Sequence, residues 1–291
     1  MNRKVSFYIM TYKGYWVLNE FIKTFTSKAI EVVIIGQDKN IETDYYDEIK
    51  QFCTDNYILF FDRNSEYEIK SEYIFAISWK WLIRTDKKLI VLHDSLLPKY
   101  RGFAPLVNML INGEKEIGVT ALFANENYDC GDIIAQKSVA INYPITIEEA
   151  INSIIPLYSE LVNLIVDNYF QEINIIGTKQ KNEDATYSLW RDEDDYFVNW
   201  NDTAENIKRF IDAVGYPYKG ASTGMDNQFV KIKDATVVED LKIENRDVGK
   251  VIFYKNNYPI VVCGRGLLKL NTVVDSTGNA IQYKKFRIRF K

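Results

Sequence analysis

His93 is the single histidine among 291 residues. It ends an apolar run, Lys88-Leu89-Ile90-Val91-Leu92, that reads as a buried strand. It opens a polar stretch, Asp94-Ser95-Leu96-Leu97-Pro98-Lys99-Tyr100-Arg101-Gly102, whose proline and glycine break the chain. Further on, Tyr128-Asp129-Cys130-Gly131-Asp132 follows a second strand-like run, Gly118–Ala124. An imidazole and a carboxylate, each at the C-terminal end of a strand, is how an open α/β sheet builds a site. The pair suits proton transfer: the carboxylate accepts a proton, and the imidazole can donate to a developing oxyanion. A histidine leaving a strand is also a common structural residue, so its weight comes from what surrounds it. Ser95 reads as a loop-closing hydroxyl, and no nucleophile elbow is present.

These groups need a sheet and helices to hold them. Val5–Met10 is β-rich, Thr11–Tyr15 reads as a turn with Gly14, and Trp16–Phe25 has helical spacing. With Glu31–Gly36 as the next strand, this opens a βαβ unit and so a parallel sheet. The turn holds no Gly-x-Gly-x-x-Gly, so a dinucleotide reading has no support. The pattern predicts a helix over 44–52, strands over 57–61, 73–77 and 88–92, and a short helix over 104–111. A hairpin-like pair follows, 117–124 and 132–141, with one antiparallel strand. Thr146 caps a long helix reaching Phe170, with Glu148 and Glu149 in its first turn. Ala150, Ile154, Leu157, Leu161, Leu164 and Ile165 form its apolar face, and Pro156 predicts a kink or a break. Gln171–Ala185 is polar and reads as a linker. Beyond it come a helix over 203–214 and β-rich runs at 229–232, 235–239, 248–254, 260–263, 267–272 and 280–289, which predict a small barrel. The expected fold class is α/β: a mainly parallel twisted sheet flanked by helices over 1–185, then a small β-barrel over 186–291.

His93-x-Ser95-Leu96-Leu97-Pro98, Asp129-x-Gly131, Pro98-Lys99-Tyr100-Arg101-Gly102 and Gly118-Val119-Thr120 together resemble the folate-dependent formyltransferases. That family includes methionyl-tRNA formyltransferase and the sugar N-formyltransferases. Its pattern has an asparagine two residues before the histidine; Val91 stands there, so an amide donor is lost and another, such as Asn108 or Asn125, would have to replace it. The resemblance implies a Rossmann-like catalytic domain, a barrel of the oligonucleotide-binding (OB) type, 10-formyltetrahydrofolate as co-substrate and no metal. It implies catalytic roles for His93 and Asp129, with His93 as oxyanion donor and Asp129 as proton acceptor. Ser78, Trp79, Lys80, Trp81 and Leu82 are expected to line the folate pocket together with Asp129, and either tryptophan could equally be a packing residue. Ser95, Lys99, Tyr100, Arg101 and Arg191 are expected on the substrate side, the cations facing a phosphate. Lys99 and Arg101 also read as surface charges. The implied acceptor is a nucleotide-linked amino sugar, as in lipopolysaccharide and other cell-surface glycan biosynthesis. Methionyl-tRNA is the alternative, and a third reading is a binding module that kept the fold and lost activity with Val91. A homodimer is left open.

Bulk composition narrows these readings. Hydrophobic residues at 47% and charged residues at 26% are ordinary for a soluble globular protein. The net charge of −4 is lopsided: residues 1–189 carry 19 basic and 26 acidic side chains, residues 190–291 carry 17 and 14. A polyanion such as tRNA calls for more basic surface than that, so nucleic acid is disfavoured as a partner. The basic tail, Lys284, Lys285, Arg287, Arg289 and Lys291, reads first as a solvated terminal strand. Cys53, Cys130 and Cys263 lack metal-type spacing and do not form a disulfide framework; Cys130 reads as a bystander thiol. No basic-then-apolar leader and no apolar run near about eighteen residues is visible, so the expectation is a cytoplasmic protein without a membrane span.

Overall fold

Val5–Ile9 (β1) and Ile30–Ile35 (β2) are nearly wholly buried β-branched and aromatic runs, and in the computed structural model they pair in parallel. The structure describes residues 3–226, 228–283 and 285–291. Phe60–Asp62 (β3), Tyr73–Ile77 (β4) and Lys88–His93 (β5) add parallel neighbours. The two-residue strand Arg101–Gly102 (β6) leaves this sheet, which Glu116–Phe123 (β7) and Ile133–Ala140 (β8) complete in the order β3-β2-β1-β4-β5-β7-β8. Both β5–β7 and β7–β8 are antiparallel, so β7 alone runs against the rest. The order turns back at β1, with β2 on one side and β4 on the other, and a ligand crevice belongs at such a switch point. Thr11–Phe25 (α1), Tyr46–Asp55 (α2), Pro105–Asn112 (α3) and Ile147–Phe170 (α4) are the helices of this part of the chain.

Several local expectations shift. Thr11–Tyr15 is the first turn of α1 rather than a loop, because the buried face of Val17, Leu18 and Phe21 extends back through Lys13 and Gly14. The strand expected over 57–61 begins only at Phe60, since Tyr57 ends α2 in a left-handed conformation and is fully solvated. Pro156 does not break α4: Asn152, whose carbonyl loses its partner, is exposed together with Pro156, so the proline sits on the solvent side of the helix. Leu164, expected on the apolar face, is exposed, and Tyr158, Val162 and Val166 are buried there instead.

The chain forms two compact units: Met1–Leu106, Lys115–Ile141 and Ala150–Leu189, and then Val107–Glu114, Asn142–Glu149 and Trp190–Lys291. Residues 171–185, expected as a linker, are bound to the first unit. Ile133 and Thr178 exchange backbone hydrogen bonds at 2.8 Å, and Tyr187–Ser188 (β9) pairs with β6.

In the second unit Thr203 caps Ala204–Ala213 (α5) by accepting from the Asn206 N–H. Ala221–Met225 (β10), Gln228–Val238 (β11), Val251–Lys255 (β12), Tyr258–Val262 (β13) and Leu267–Val274 (β14) form an antiparallel sheet in the order β10-β11-β14-β13-β12. The runs 229–232 and 235–239 are one strand, β11, whose register slips between Ile232 and Ala235 and lets it curl. β10 went unrecognised because Ala-Ser-Thr-Gly-Met has little apolar alternation. The expected strand over 280–289 is instead a short closure: Lys291 exchanges hydrogen bonds with Gly224, and Ile288 and Phe290 bond to Val251 and Gly249, tying the two edges of the sheet together. Lys285, Arg287, Arg289 and Lys291 are exposed around it, Arg289 paired with Asp247 at 2.6 Å; Lys284 lies outside the described residues.

Candidate active site

β5 delivers His93 at its carboxyl end, and the chain folds straight back on it. The imidazole Nε2 lies 2.8 Å from the Tyr100 carbonyl, which can only accept, so Nε2 carries the proton and donates. Nδ1 faces Asp129 Oδ1 at 3.5 Å, and the two side chains are 7% and 13% exposed. Asp129 Oδ2 accepts the Gly102 N–H at 2.9 Å. The oxyanion role expected of His93 is thereby altered: the neutral ring has its one N–H committed to Tyr100, and donation from Nδ1 requires the imidazolium.

Asp129 does not arrive as the sequence suggested. β7 runs antiparallel, and its last residue, Phe123, pairs with Ile90, three residues before His93. The loop after β7 therefore starts at the far end and must run back along the sheet face by about 10 Å. Gly131 makes this possible, because a Cβ there would sit 1.7 Å from the Phe123 carbonyl oxygen. The glycine of the Asp-x-Gly pattern is the residue that lets the loop press on the strand it has left.

The loop after His93 is pinned by the hairpin. Buried Thr120 donates to Ser95 O at 2.6 Å and accepts from Leu97 N at 3.1 Å, and Gln136 Nε2 donates to Leu97 O at 2.9 Å. Ser95 itself is fully buried and donates to Lys99 O at 2.7 Å, so it closes the loop and does not face a substrate. Arg101 is also not a phosphate ligand. It is 2% exposed, and its guanidinium is spent on Gln180 Oε1, at 3.0 and 2.7 Å, and on Asn182 Oδ1 at 3.0 Å. Gln180 turns its amide the other way, donating at 2.8 Å to both Asp129 O and Gly131 O. It joins the histidine loop to the aspartate loop, and it lies in the stretch whose polar composition reads only as a linker. Lys99 is exposed and Tyr100 is half-buried. Arg191, in the second unit, donates to Asn108 Oδ1 at 2.8 Å and to Asp195 O at 3.2 Å.

His93 and Asp129 border a cavity of ≈ 420 Å³, within the range of small-molecule sites. Ser78, Trp79, Lys80, Trp81 and Leu82 all line it, with Val91 one pleat before His93 and Asn125 on the opposite loop. Trp79 is also part of the core, packed on Val32, Ile34, Ile69 and Ile74 and edge-on to Tyr8 at 4.9 Å. Both indoles press on Gly36, where a Cβ would meet Trp81 at 2.7 Å and Trp79 at 2.9 Å. Ser78, Ala104 and Asp129 on the cavity wall all have positive φ, and such left-handed non-glycine residues concentrate where geometry is functionally constrained. One buried cation was missed: Lys13, from α1, pairs with Asp94, which also accepts from the Tyr158 hydroxyl. A lysine on the stripe of Val17 and Phe21 was the available signal.

Burial pushes the thiols of Cys53 and Cys263 up to about 12, and both are fully buried. Cys130 is half-exposed. Iodoacetamide at pH 8 is therefore expected to label Cys130 and spare the other two, as read by peptide mass spectrometry; Cys130→Ser is expected to keep more than half of the activity. Among the described residues no group of three His, Cys, Asp or Glu side chains could hold a metal ion, and no helix is long and apolar enough to cross a membrane.

A mostly parallel sheet carrying a histidine–aspartate pair, continued by an antiparallel sheet closed on itself, matches one family in both halves. The family model described as "Formyl transferase" matches residues 28–161, and "Formyl transferase, C-terminal domain" matches residues 191–290. The chain belongs to the formyl transferase family. Methionyl-tRNA formyltransferase of Caldanaerobacter subterraneus subsp. tengcongensis is 33% identical over 181 residues, 62% of this chain and 57% of that protein. The enzyme of that name from Thermodesulfovibrio yellowstonii is 34% identical over 197 residues, 68% of this chain and 61% of that protein. The chain thus spans less than two thirds of the length of these curated relatives. Among solved structures, WlaRD, a sugar 3N-formyl transferase in the presence of dTDP and 5-N-formyl-THF, superposes with a TM-score of 0.69 at 21% identity, covering 98% of this chain and 99% of that one. An N-formyltransferase from Helicobacter canadensis, in complex with folinic acid and dTDP-3-aminofucose, gives 0.68 at 19% identity, covering 94% and 98%. At these identities the likeness is one of fold.

Proposed function

We propose that the protein transfers the formyl group of 10-formyltetrahydrofolate to the amino group of a nucleotide-linked amino sugar. The observation that carries the chemistry is the His93–Asp129 pair on the wall of the ≈ 420 Å³ cavity, one carboxylate oxygen fixed by Gly102 N–H and the other turned to Nδ1. The cavity suits a flat heterocycle. It is mainly apolar, with aromatic walls.

In the proposed reaction the amine nitrogen attacks the formyl carbon, the carbon–oxygen π electrons move to oxygen, and the N10–carbon bond then breaks. Asp129 Oδ1 takes the proton the amine loses and returns it to N10 as that nitrogen leaves, with His93 Nδ1 beside it. Asn125 and backbone N–H groups on the cavity wall stabilise the oxyanion in place of the amide that Val91 lacks. The acidic balance over residues 1–189 disfavours a large polyanion, which leaves a small acceptor, and the end-to-end fold match with WlaRD supports that choice. It would fit an enzyme of the cytoplasm that supplies cell-surface glycan precursors. Methionyl-tRNA is the second reading, favoured by the 33–34% identity to enzymes of that name.

The test is direct. The protein is incubated with 10-formyltetrahydrofolate and either a panel of nucleotide-linked amino sugars or methionyl-tRNA, and products are weighed. A gain of one formyl group on a sugar supports the proposal. Formylation of the tRNA alone supports the second reading, and no product with either leaves a non-catalytic module.

A further inference from the structure

The seven-stranded sheet holds a second cavity beside the first. It measures ≈ 470 Å³, lies against Ile35 and Asp62 at the carboxyl ends of β2 and β3, and shares Lys80 and Trp81 with the site cavity. Trp81 is the wall between them. The two cavities differ in sign. Asp94, Glu126 and Asp129 line the first, whereas Lys39, Arg63 and Lys80 line the second with Asn40 and Asn64. Within the second, Lys80 pairs with Asp38 at 2.7 Å, and its one lining carboxylate, Asp62, pairs with Lys50 at 3.0 Å. Lys39 and Arg63 have no carboxylate partner among the described residues. The Arg63 guanidinium lies 4.0 Å from the Trp81 ring centre, a stacking that fixes its plane and leaves its N–H groups at the cavity edge.

We propose that this second cavity receives the γ-glutamyl tail of the folate donor, and that the preferred donor is a polyglutamate. The proposal rests on reading the first cavity as the folate site. The donor is an elongated molecule whose heterocyclic end is uncharged and whose far end carries only carboxylates. From β5, which bears His93, to β2 is three strand spacings, about 14 Å. A p-aminobenzoyl ring followed by a few γ-linked glutamates covers that distance, passing over Trp81 on the way. Its carboxylates then meet Arg63 and Lys39, which have no carboxylate partner among the described residues, with Asn40 and Asn64 as further donors. A tail laid in the opposite direction would meet Glu126 instead.

The experiment is calorimetric titration of the full chain with the unreactive 5-formyltetrahydrofolate, as monoglutamate and as triglutamate. Each exposed ion pair adds modestly, so two are expected to tighten the triglutamate about ten-fold over the monoglutamate at low salt, with the gain shrinking as salt rises. The double variant Lys39→Gln, Arg63→Gln is expected to lose that gain while changing monoglutamate affinity less than about two-fold. Both side chains are exposed, and an unchanged melting temperature checks the fold. Equal affinity for the two compounds, or a gain that survives in the double variant, overturns the proposal. Binding of neither compound overturns the folate reading itself, and this one with it.

Discussion

Asp129→Asn is expected to lower the transfer rate by about 10²–10⁴-fold while leaving the fold and the donor affinity in place. The amide keeps the shape of the carboxyl group and can still accept the Gly102 N–H, so the loop geometry survives. What it loses is basicity: an amide oxygen does not take a proton from an attacking amine, and an amide NH₂ set opposite Nδ1 reverses the hydrogen bond there. The measurement is kcat on the acceptor at saturating donor, with the melting temperature as a fold control. Retention of more than about a tenth of the rate would remove Asp129 from the base role. Gln180→Glu bears on the same pair from behind. It removes the NH₂ that holds Asp129 O and Gly131 O while keeping an acceptor for Arg101, so it is expected to lower kcat with little change in KM.

The second large effect is expected at His93. His93→Ala should cost about 10²-fold or more, because it removes both the ring that faces Asp129 Oδ1 and the donor that holds the Tyr100 carbonyl. Val91→Asn is expected to do the opposite and keep or raise the rate. Val91 lines the same cavity as His93 and has no side-chain polar atom; with the histidine N–H spent on Tyr100, an added amide supplies one more donor beside Asn125. A single oxyanion donor is typically worth about 10²–10³-fold when fully engaged, so even a poorly aimed amide would be measurable. Both rates are read on the accepted substrate at saturating folate. A Val91→Asn protein that folds and binds folate but is inactive would show that this pocket uses a donor geometry unlike the family's.

The sequence by itself singled out His93 and Asp129, through the resemblance of their surroundings to the formyltransferase pattern. The structure supplies the closure: Gly131 lets the aspartate loop press on the end of β7, and Nδ1 and Oδ1 come within 3.5 Å. The sequence also settled the two-part architecture, because strand and helix periods are properties of local runs. Tertiary structure alone decided which polar residues face the cavity. Ser95 and Arg101 stand in the same ten-residue loop as His93, yet both turn inward, since each finds buried partners that sequence spacing does not reveal. Lys13 and Gln180 reach the site from α1 and from the stretch before β9, 81 residues before Asp94 and 51 after Asp129. Contacts over such separations depend on strand order, and one-dimensional periodicity carries no record of strand order. The antiparallel course of β7 is of the same kind. The hairpin pattern of 117–124 and 132–141 implies one antiparallel strand but not which; that it is β7 obliges the aspartate loop to fold back over the sheet.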